Sequence, residues 1–234
     1  MPGNTVSPAE VARFDALADR WWDPDGPMRP LHRMNPARVA WIAERAKDTA
    51  TYRPRLLDIG CGAGLAAEAL ARRGFDVLGL DAAGAAIEAA RAHAERQDLP
   101  LAYRTGVAED LLAEGARFPI ITALEVIEHV PDPTAFLATL ATLLSPGGTL
   151  FLSTLNRTAQ SFLAAKVGAE YLLRWLPVGT HDWRRFITPT ELATMLRRVG
   201  LRVNDVTGLV ADPLSGRWTT SRDLSVNYLV AAAN

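Results

Sequence analysis

The chain is expected to fold as an α/β protein on a doubly wound, mostly parallel sheet of seven strands. Three observations predict this. From Arg55 onward, short apolar runs alternate with helical segments, as in a parallel sheet covered on both faces. The first run, in "RLLDIGCGAG", passes through a glycine-rich turn into a helix, and the second, "FDVLGLD", ends on an acid, Asp81, seventeen residues beyond Gly64. A chain of 234 residues can bury about 70–75% of the surface it exposes unfolded, so one domain over 1–234 is expected, with 1–50 as an N-terminal helical cap and 156–187 as a helical insertion after the fifth strand.

The elements follow in order. Ser7, Pro8 and Glu10 make an S-x-x-E helix start, and Val11, Phe14, Leu17 and Trp21 recur at helical spacing, so a helix is expected to run to the "DPDGP" stretch. Asn35-Pro36 is expected to cap a second helix carrying Val39, Ile42 and Ala46 on one face. Strands are expected near 55–59, 75–81, 101–105, 118–124 and 149–154, and helices near 64–73, 84–96 and 133–144. "GVAEDL", Gly106 to Leu111, reads as a short acidic loop after the third strand. The insertion reads as a helix followed by an irregular loop. Thr188, Pro189 and Glu191 start another capped helix ending at Gly200, and "LRVNDVTGLV" and "DLSVNYLVAA" are expected to pair as a terminal hairpin at the sheet edge.

Composition removes several classes of function. Twenty-five basic residues against twenty-six acidic ones leave no footprint for nucleic acid. Cys61 is the only cysteine, so no intrachain disulfide can form and a reducing compartment fits. The opening "MPGNTVSPAEVARF" lacks the pattern of a secretory leader, and no window reaches the length of a transmembrane helix. The expectation is a soluble cytoplasmic protein, with peripheral contact to the inner face of the cell membrane left open.

The glycine turn carries the first chemistry. Gly60, Gly62 and Gly64 let backbone approach a ligand, and the following helix offers free N–H groups. Asp81 can accept hydrogen bonds from both hydroxyls of a ribose, as in dinucleotide sites. The spacing is G-x-G-x-G, however, and Leu65 stands where a dinucleotide fingerprint places its third glycine. Asp58 would repel a pyrophosphate, whereas it can help hold the ammonium of a positively charged ligand. S-adenosylmethionine has that character, and Cys61 in the turn, Ala82 beside Asp81 and Ala108 in "GVAEDL" complete the candidate donor contacts.

With "RWWD", "PLHRMNPAR", "EVIEHV", "LSPGGTLFLSTLNR", "GTHDW" and "VNYLV" added, the sequence resembles the ubiquinone-biosynthesis O-methyltransferases over almost its whole length. The resemblance implies a Rossmann-like class I, S-adenosylmethionine-dependent fold. It also implies methylation of ring hydroxyls on polyprenylated catechol and quinol intermediates, at both O-methylation steps of that pathway, and contact with other enzymes of the pathway. By the same resemblance, Arg38, Gly60, Asp81 and Leu124 bind the donor, with Arg38 on its carboxylate. Pro119 departs from the family's usual aspartate at the start of strand four. Because proline cannot donate a ladder hydrogen bond, that strand is expected to start one residue late.

"ITALEVIEHVPDP" places Glu125, Glu128 and His129 within five residues at the carboxyl end of strand four, where open parallel sheets bind ligands. Two carboxylates and an imidazole suit a divalent cation, Mg, Mn or Zn, to which a catechol could add its oxygens. Alternatively, Glu128 or His129 acts as a general base, or the three merely cap the next helix. His181, with Asp182 in "GTHDW", is a further catalytic candidate, and His32 a second pocket residue, while His93 is assigned nothing. Trp21 and Trp22 are read as packing residues. Phe162, Trp175 and their apolar neighbours in 156–187, with Lys166, Arg174, Arg184 and Arg185, could lie on a membrane surface or pack on the protein's own core. Three rivals stay open: a methyltransferase of another phenol or a carboxylate, a nicotinamide-dependent oxidoreductase, and a noncatalytic sensor of the methyl donor.

Overall fold

The structure is a computed structural model and describes residues 6–46, 53–162, 183–212 and 215–234. Its centre is a sheet of strands β1 (Arg55–Ile59), β2 (Asp76–Asp81), β3 (Ala102–Thr105), β4 (Phe118–Leu124), β5 (Leu144–Leu155), β6 (Arg202–Ala211), β7 (Trp218–Ser221) and β8 (Asn227–Ala233), in the order β3-β2-β1-β4-β5-β8-β6-β7. The first five run parallel to their neighbours, and β8, β6 and β7 pair antiparallel. The sheet has eight strands where the sequence predicts seven. The extra one is β7, a short strand laid on the outer end of β6 from Gly208 to Ala211.

The last two long strands do pair, but not as an edge hairpin: β8 lies between β5 and β6. Burial explains the order. Every residue of β8 from Asn227 to Ala232 is buried, as "NYLVAA" allows, whereas the first half of β6 alternates exposed and half-buried residues. A strand apolar on both faces belongs inside the sheet, and an alternating one toward its edge.

The period of two sets up a core on each side. Leu56 faces a cluster with Trp41, Ile42, Leu70 and Ile87, and its neighbour Leu57 faces one with Ile121, Leu137, Leu140 and Leu192. Helices α2 (Arg29–Arg45), α3 (Leu65–Ala71) and α4 (Gly84–Arg96) supply the first side, and α5 (Ala108–Ala113), α6 (Pro133–Leu143) and α8 (Pro189–Arg198) the second. "GVAEDL" is thus not a loop but the start of α5, where Asp110 Oδ2 accepts the Val107 N–H at 3.0 Å. Between α6 and α8 the described part of the insertion holds the single turn α7 (Ala159–Ser161) and a 3₁₀ turn at Trp183–Arg185.

The amino-terminal helices differ from expectation. Helix α1 spans only Pro8–Asp15, and a 3₁₀ turn at Ala18–Arg20 follows it. Helix α2 starts at Arg29, six residues before Asn35, and runs through Pro36. Asn35 is not a cap: it is buried, donating from Nδ2 to the Leu65 carbonyl at 2.7 Å and accepting from Arg38 Nε at 2.9 Å. Pro36 lies on the exposed side of the helix, where a carbonyl that loses its N–H partner can be hydrated. Pro119 is handled by a break in register. Strand β4 opens at Phe118 rather than late, its pairing with β5 shifts between Phe118 and Ile120, and its ladder with β1 begins at Ile120.

Candidate active site

The turn from β1 into α3 has the backbone its glycines require, with positive φ at Gly60 (67°), Gly62 (52°) and Gly64 (92°). Their missing side chains make room chiefly for other residues of the chain. A Cβ at Gly60 would lie 2.4 Å from Val126 Cγ2, one at Gly62 2.1 Å from Trp21 Cζ2, and one at Gly64 2.0 Å from the Tyr103 hydroxyl. Of the expected donor contacts in the turn, Gly60 and Gly62 line the adjoining cavity, while Gly64 and Cys61 are packed behind it. The Asp81 carboxylate fixes the turn by accepting the Gly62 N–H through Oδ2 and the Ala83 N–H through Oδ1, each at 2.8 Å. Burial raises its pKa against the pull of those N–H groups.

Arg38 and Asp58 lie buried behind the turn. Asp58 Oδ1 accepts from the Thr122 hydroxyl at 2.6 Å, and Oδ2 is buried with no hydrogen-bond partner. Burial pushes Asp58 up to about 6, against the Thr122 hydrogen bond and the Arg38 charge, which hold it down. Burial likewise lowers the pKa of Arg38, while Glu125 and Asp58 raise it. An ammonium against Asp58 and a carboxylate against Arg38 would satisfy both groups, and the methionyl end of S-adenosylmethionine carries that pair. The residues present fit the donor.

A cavity of about 670 Å³ joins the turn to the stretch after β4. Gly60, Gly62, Asp81, Ala82, Ala108 and Leu124 line it together with Glu125, Glu128 and His129, and Phe14, Leu17, Trp21, Met28, Leu31 and Met34 add apolar wall. Trp21, read from sequence as packing, does pack on Gly62 but also forms cavity wall. Trp22 donates to the Ala63 carbonyl at 3.0 Å and stacks on His93 at 3.4 Å, and His93 Nδ1 meets the buried Glu68 at 2.7 Å. His93 thus braces the cap against α3. His32 is not on the cavity wall; its Nε2 contacts the Trp21 carbonyl at 2.8 Å.

Glu125, Glu128 and His129 share the cavity but do not converge on one point. Glu125 sits at φ 57°, and its carboxylate accepts from Ser153 Oγ at 2.6 Å and from Asn227 Nδ2 at 3.0 and 3.2 Å. Glu128 is buried and accepts from the Thr154 hydroxyl at 2.9 Å. His129 Nδ1 faces Glu10 Oε2 at 3.0 Å. Among the described residues no three His, Cys, Asp or Glu side chains are grouped to hold a metal ion. The expected three-residue cation site is not assembled in this arrangement, where each group is turned toward a different protein partner.

Burial and the Glu125 charge push Glu128 up to about 7, with His129 and Thr154 opposing. For His129, burial lowers the pKa, but Glu10 and Glu128 outweigh it and the net shift is upward. Both groups therefore hold a proton more tightly than they would in water. His181 and Asp182 lie outside the described residues. Glu10, Ser153, Thr154 and Asn227 were not predicted as site residues. Glu10 reads in sequence as a helix-start acid, and the others lie in strands whose partners only the sheet order reveals.

A methyltransferase-domain family model matches residues 31–206. The ubiquinone biosynthesis O-methyltransferase of Cereibacter sphaeroides is 50% identical, with 98% of this chain and 97% of that protein covered, and the one from Dinoroseobacter shibae is 50% identical over 97% and 96%. This chain belongs to the ubiquinone biosynthesis O-methyltransferases. Among solved structures, a magnesium protoporphyrin IX methyltransferase from Synechocystis with bound SAH shares the fold at a TM-score of 0.67, 20% identity, and coverage of 95% of this chain and 98% of that one. Membership in the O-methyltransferase family makes the chain an S-adenosylmethionine-dependent enzyme and overturns the oxidoreductase and sensor readings. The cavity is lined both by Asp81 and the glycine turn and by Glu128 and His129.

Proposed function

We propose that this chain transfers a methyl group to a ring hydroxyl of polyprenylated catechol intermediates, serving both O-methylation steps of ubiquinone biosynthesis. The observation that carries this reading is the cavity, which joins Asp81 and the glycine turn to His129 along walls rich in Phe14, Leu17, Met28, Leu31 and Met34. Its volume of about 670 Å³ lies within the roughly 300–1,000 Å³ usual for small-molecule sites. An aromatic ring with an isoprenoid stem suits such walls. The relatives' shared name supports the same substrate class.

A phenol ionises near ~10, so little of the acceptor is anionic at neutral pH and a positioned base is needed. His129 is that base in this reading, with buried Glu128 beside it. Bound S-adenosylmethionine supplies an electrophilic methyl on a cationic sulfur. The hydroxyl proton passes to His129, the oxygen lone pair forms the new C–O bond in line with the breaking C–S bond, and the C–S electron pair stays on sulfur. Glu125, held by Ser153 and Asn227, sets the wall against which the ring is aligned. The test is methyl transfer to a short-tailed catechol, with native protein and with His129→Asn, each with and without chelator. Native rates in His129→Asn would remove the base, and loss of activity with chelator would return the cation to the mechanism.

The same reading brings the enzyme to a membrane surface on the cytoplasmic side, because the acceptor's tail resides in lipid. Among the described residues no helix is long and apolar enough to cross a membrane. Phe162, one of the exposed large apolar residues, meets Trp183 edge-on at 6.2 Å at the margin of the insertion. Trp175, Lys166 and Arg174 lie outside the described residues. Flotation with liposomes tests this: binding by native protein that is lost in Phe162→Ser with Trp175→Ser supports it, and no binding by native protein refutes it.

A further inference from the structure

The stretch that opens α2, "MRPLHRM", sets Met28, Leu31 and Met34 three residues apart, so the three share one helix face. All three line the cavity. Strand register fixes what stands across from them. Asn227 of β8 pairs with Leu209 of β6, and Ala211, two residues on, pairs with Trp218 of β7. Paired residues point to the same face of a sheet, as do residues two apart along a strand. Asn227, Leu209, Ala211 and Trp218 therefore make one row across the sheet, on its α2 side. Trp218 packs against the cluster that holds Met28, Met34 and Leu209. A Cβ at Gly216 would lie 3.1 Å from Arg33 Nη1, which puts α2 close against the start of β7.

The row begins at the acceptor end of the cavity, where Asn227 Nδ2 donates to both oxygens of Glu125 at 3.0 and 3.2 Å. Exposure grows outward from there. Asn227 and Leu209 are each 1% exposed, Trp218 is half-buried, and Ala211 is exposed. Two strand spacings separate β8 from β7, about 10 Å in all. Charge is distributed just as unevenly. The charged residues among the described lining lie in α1, at the end of β2, after β4 and at Asp223, while the start of α2 and the β6 and β7 strands contribute none. A passage with apolar walls on both sides gives water few partners and suits hydrocarbon.

We propose that the space between the start of α2 and the β6–β7 edge takes the first isoprene units of the acceptor's tail, with Leu31 and Trp218 as facing specificity residues. This rests on the reading of the acceptor as a polyprenylated catechol whose hydroxyls lie at the Glu125 end. From that end, the row from Asn227 to Trp218 offers the stem an uncharged path to the sheet edge. Hydrocarbon held there adds binding energy without touching the reacting atoms, so it separates tailed from tail-free acceptors. The competing exit passes Leu155 and Val226, which pack with Trp183 at the margin of the insertion.

The experiment measures methyl transfer by native protein, Trp218→Ser, Leu31→Ser and Phe162→Ser to catechols carrying no tail, one isoprene unit and three, with donor Kd by calorimetry as the check on folding. In native protein kcat/KM should rise roughly 30- to 300-fold from the tail-free to the three-unit acceptor. That ratio should fall by roughly 10-fold in Trp218→Ser and in Leu31→Ser and hold in Phe162→Ser, with donor Kd within about threefold of native throughout. A native ratio in both Trp218→Ser and Leu31→Ser, or equal losses on tailed and tail-free acceptors, would overturn the proposal. A ratio lost only in Phe162→Ser would also overturn it, by sending the tail toward the insertion. Native protein that methylates tail-free and tailed catechols alike would instead refute the polyprenylated acceptor on which the proposal rests.

Discussion

Helices α1 and α8 begin with the same local motif and end up doing different work. At α8, Thr188 Oγ1 accepts the Glu191 N–H at 3.3 Å and Glu191 Oε2 accepts the Thr188 N–H at 2.9 Å, a reciprocal cap. At α1 the serine is idle and the glutamate pairs with a histidine more than a hundred residues away in sequence. The carboxylate takes the strongest partner within reach. Glu191 has its own helix start and Arg157, both on the outer side of the sheet. Glu10 lies where the chain brings a half-buried imidazole alongside it, and a charged pair outbids a neutral cap. One motif thus becomes a helix cap in one place and an ion pair on the cavity wall in the other.

The largest expected effect lies on the α1 side. His129→Asn should lower kcat by roughly 10²–10⁴-fold while donor Kd stays within a few-fold. A kcat near native would place the base elsewhere, with Glu128 the next candidate.

Next comes the seam where the cap meets the glycine turn. Gly62→Val introduces a side chain at φ 52° whose Cβ would lie 2.1 Å from Trp21. Left-handed strain of about 1–2 kcal/mol and overpacking of about 1–3 kcal/mol together predict a loss of roughly 2–5 kcal/mol in urea unfolding. Donor binding should fail along with it. An unfolding midpoint like that of native protein would show that Trp21 swings away at little cost.

The pH response should differ in sign between the two sides. Buried Asp58 and Glu128 have pKa values raised to about 6 and about 7, so the folded ligand-free protein holds those protons more tightly than the unfolded chain. Their stabilising contribution is full below the ordinary carboxyl range and is lost as pH rises through about 6 to 7. Unfolding free energy should therefore fall by roughly 1–3 kcal/mol between about pH 5 and pH 8, while kcat/KM rises as the base loses its proton, at a pH above the ordinary imidazole range because Glu10 and Glu128 raise His129. Glu191 is lowered instead, by the Thr188 N–H first, so its contribution appears above the ordinary carboxyl range and is lost in acid. Urea titrations at several pH values that gave a flat profile would mean the buried acids are neutralised by Arg38 and their hydrogen bonds.

The smallest effects compare the two motifs directly. Thr188→Ala should cost about 1 kcal/mol of stability and leave kcat unchanged. Ser7→Ala should change stability by no more than about 0.5 kcal/mol, since its hydroxyl caps nothing. Equal losses at both positions would mean that Ser7 caps α1 in solution and that Glu10 is less committed to His129.

Much of the donor half was legible in the sequence because its signals are local. The glycine spacing, Asp58 at the end of one strand and Asp81 at the end of the next all lie within one βα unit and the strand that follows it; the structure joins Asp81 to the glycine turn by a hydrogen bond and buries Asp58 against Thr122. The acceptor half was only half legible. Glu125, Glu128 and His129 do line one cavity, but reading them as a single cation site assumed that closeness in sequence means convergence in space. Glu125 enters the left-handed region and turns to Ser153 and Asn227, which separates it from its neighbours.

By itself the sequence determined the alternation of strands and helices, the glycine turn, the acids at the strand ends and the family, because propensity, period, glycine requirements and motif spacing act over a few residues and do not depend on the rest of the chain. Only the tertiary structure decided that β8 lies inside the sheet, that Trp21 covers Gly62, and that Glu10 meets His129. Those outcomes are competitions among partners brought together from distant parts of the chain, and the strongest partner is known only once all of them are in place.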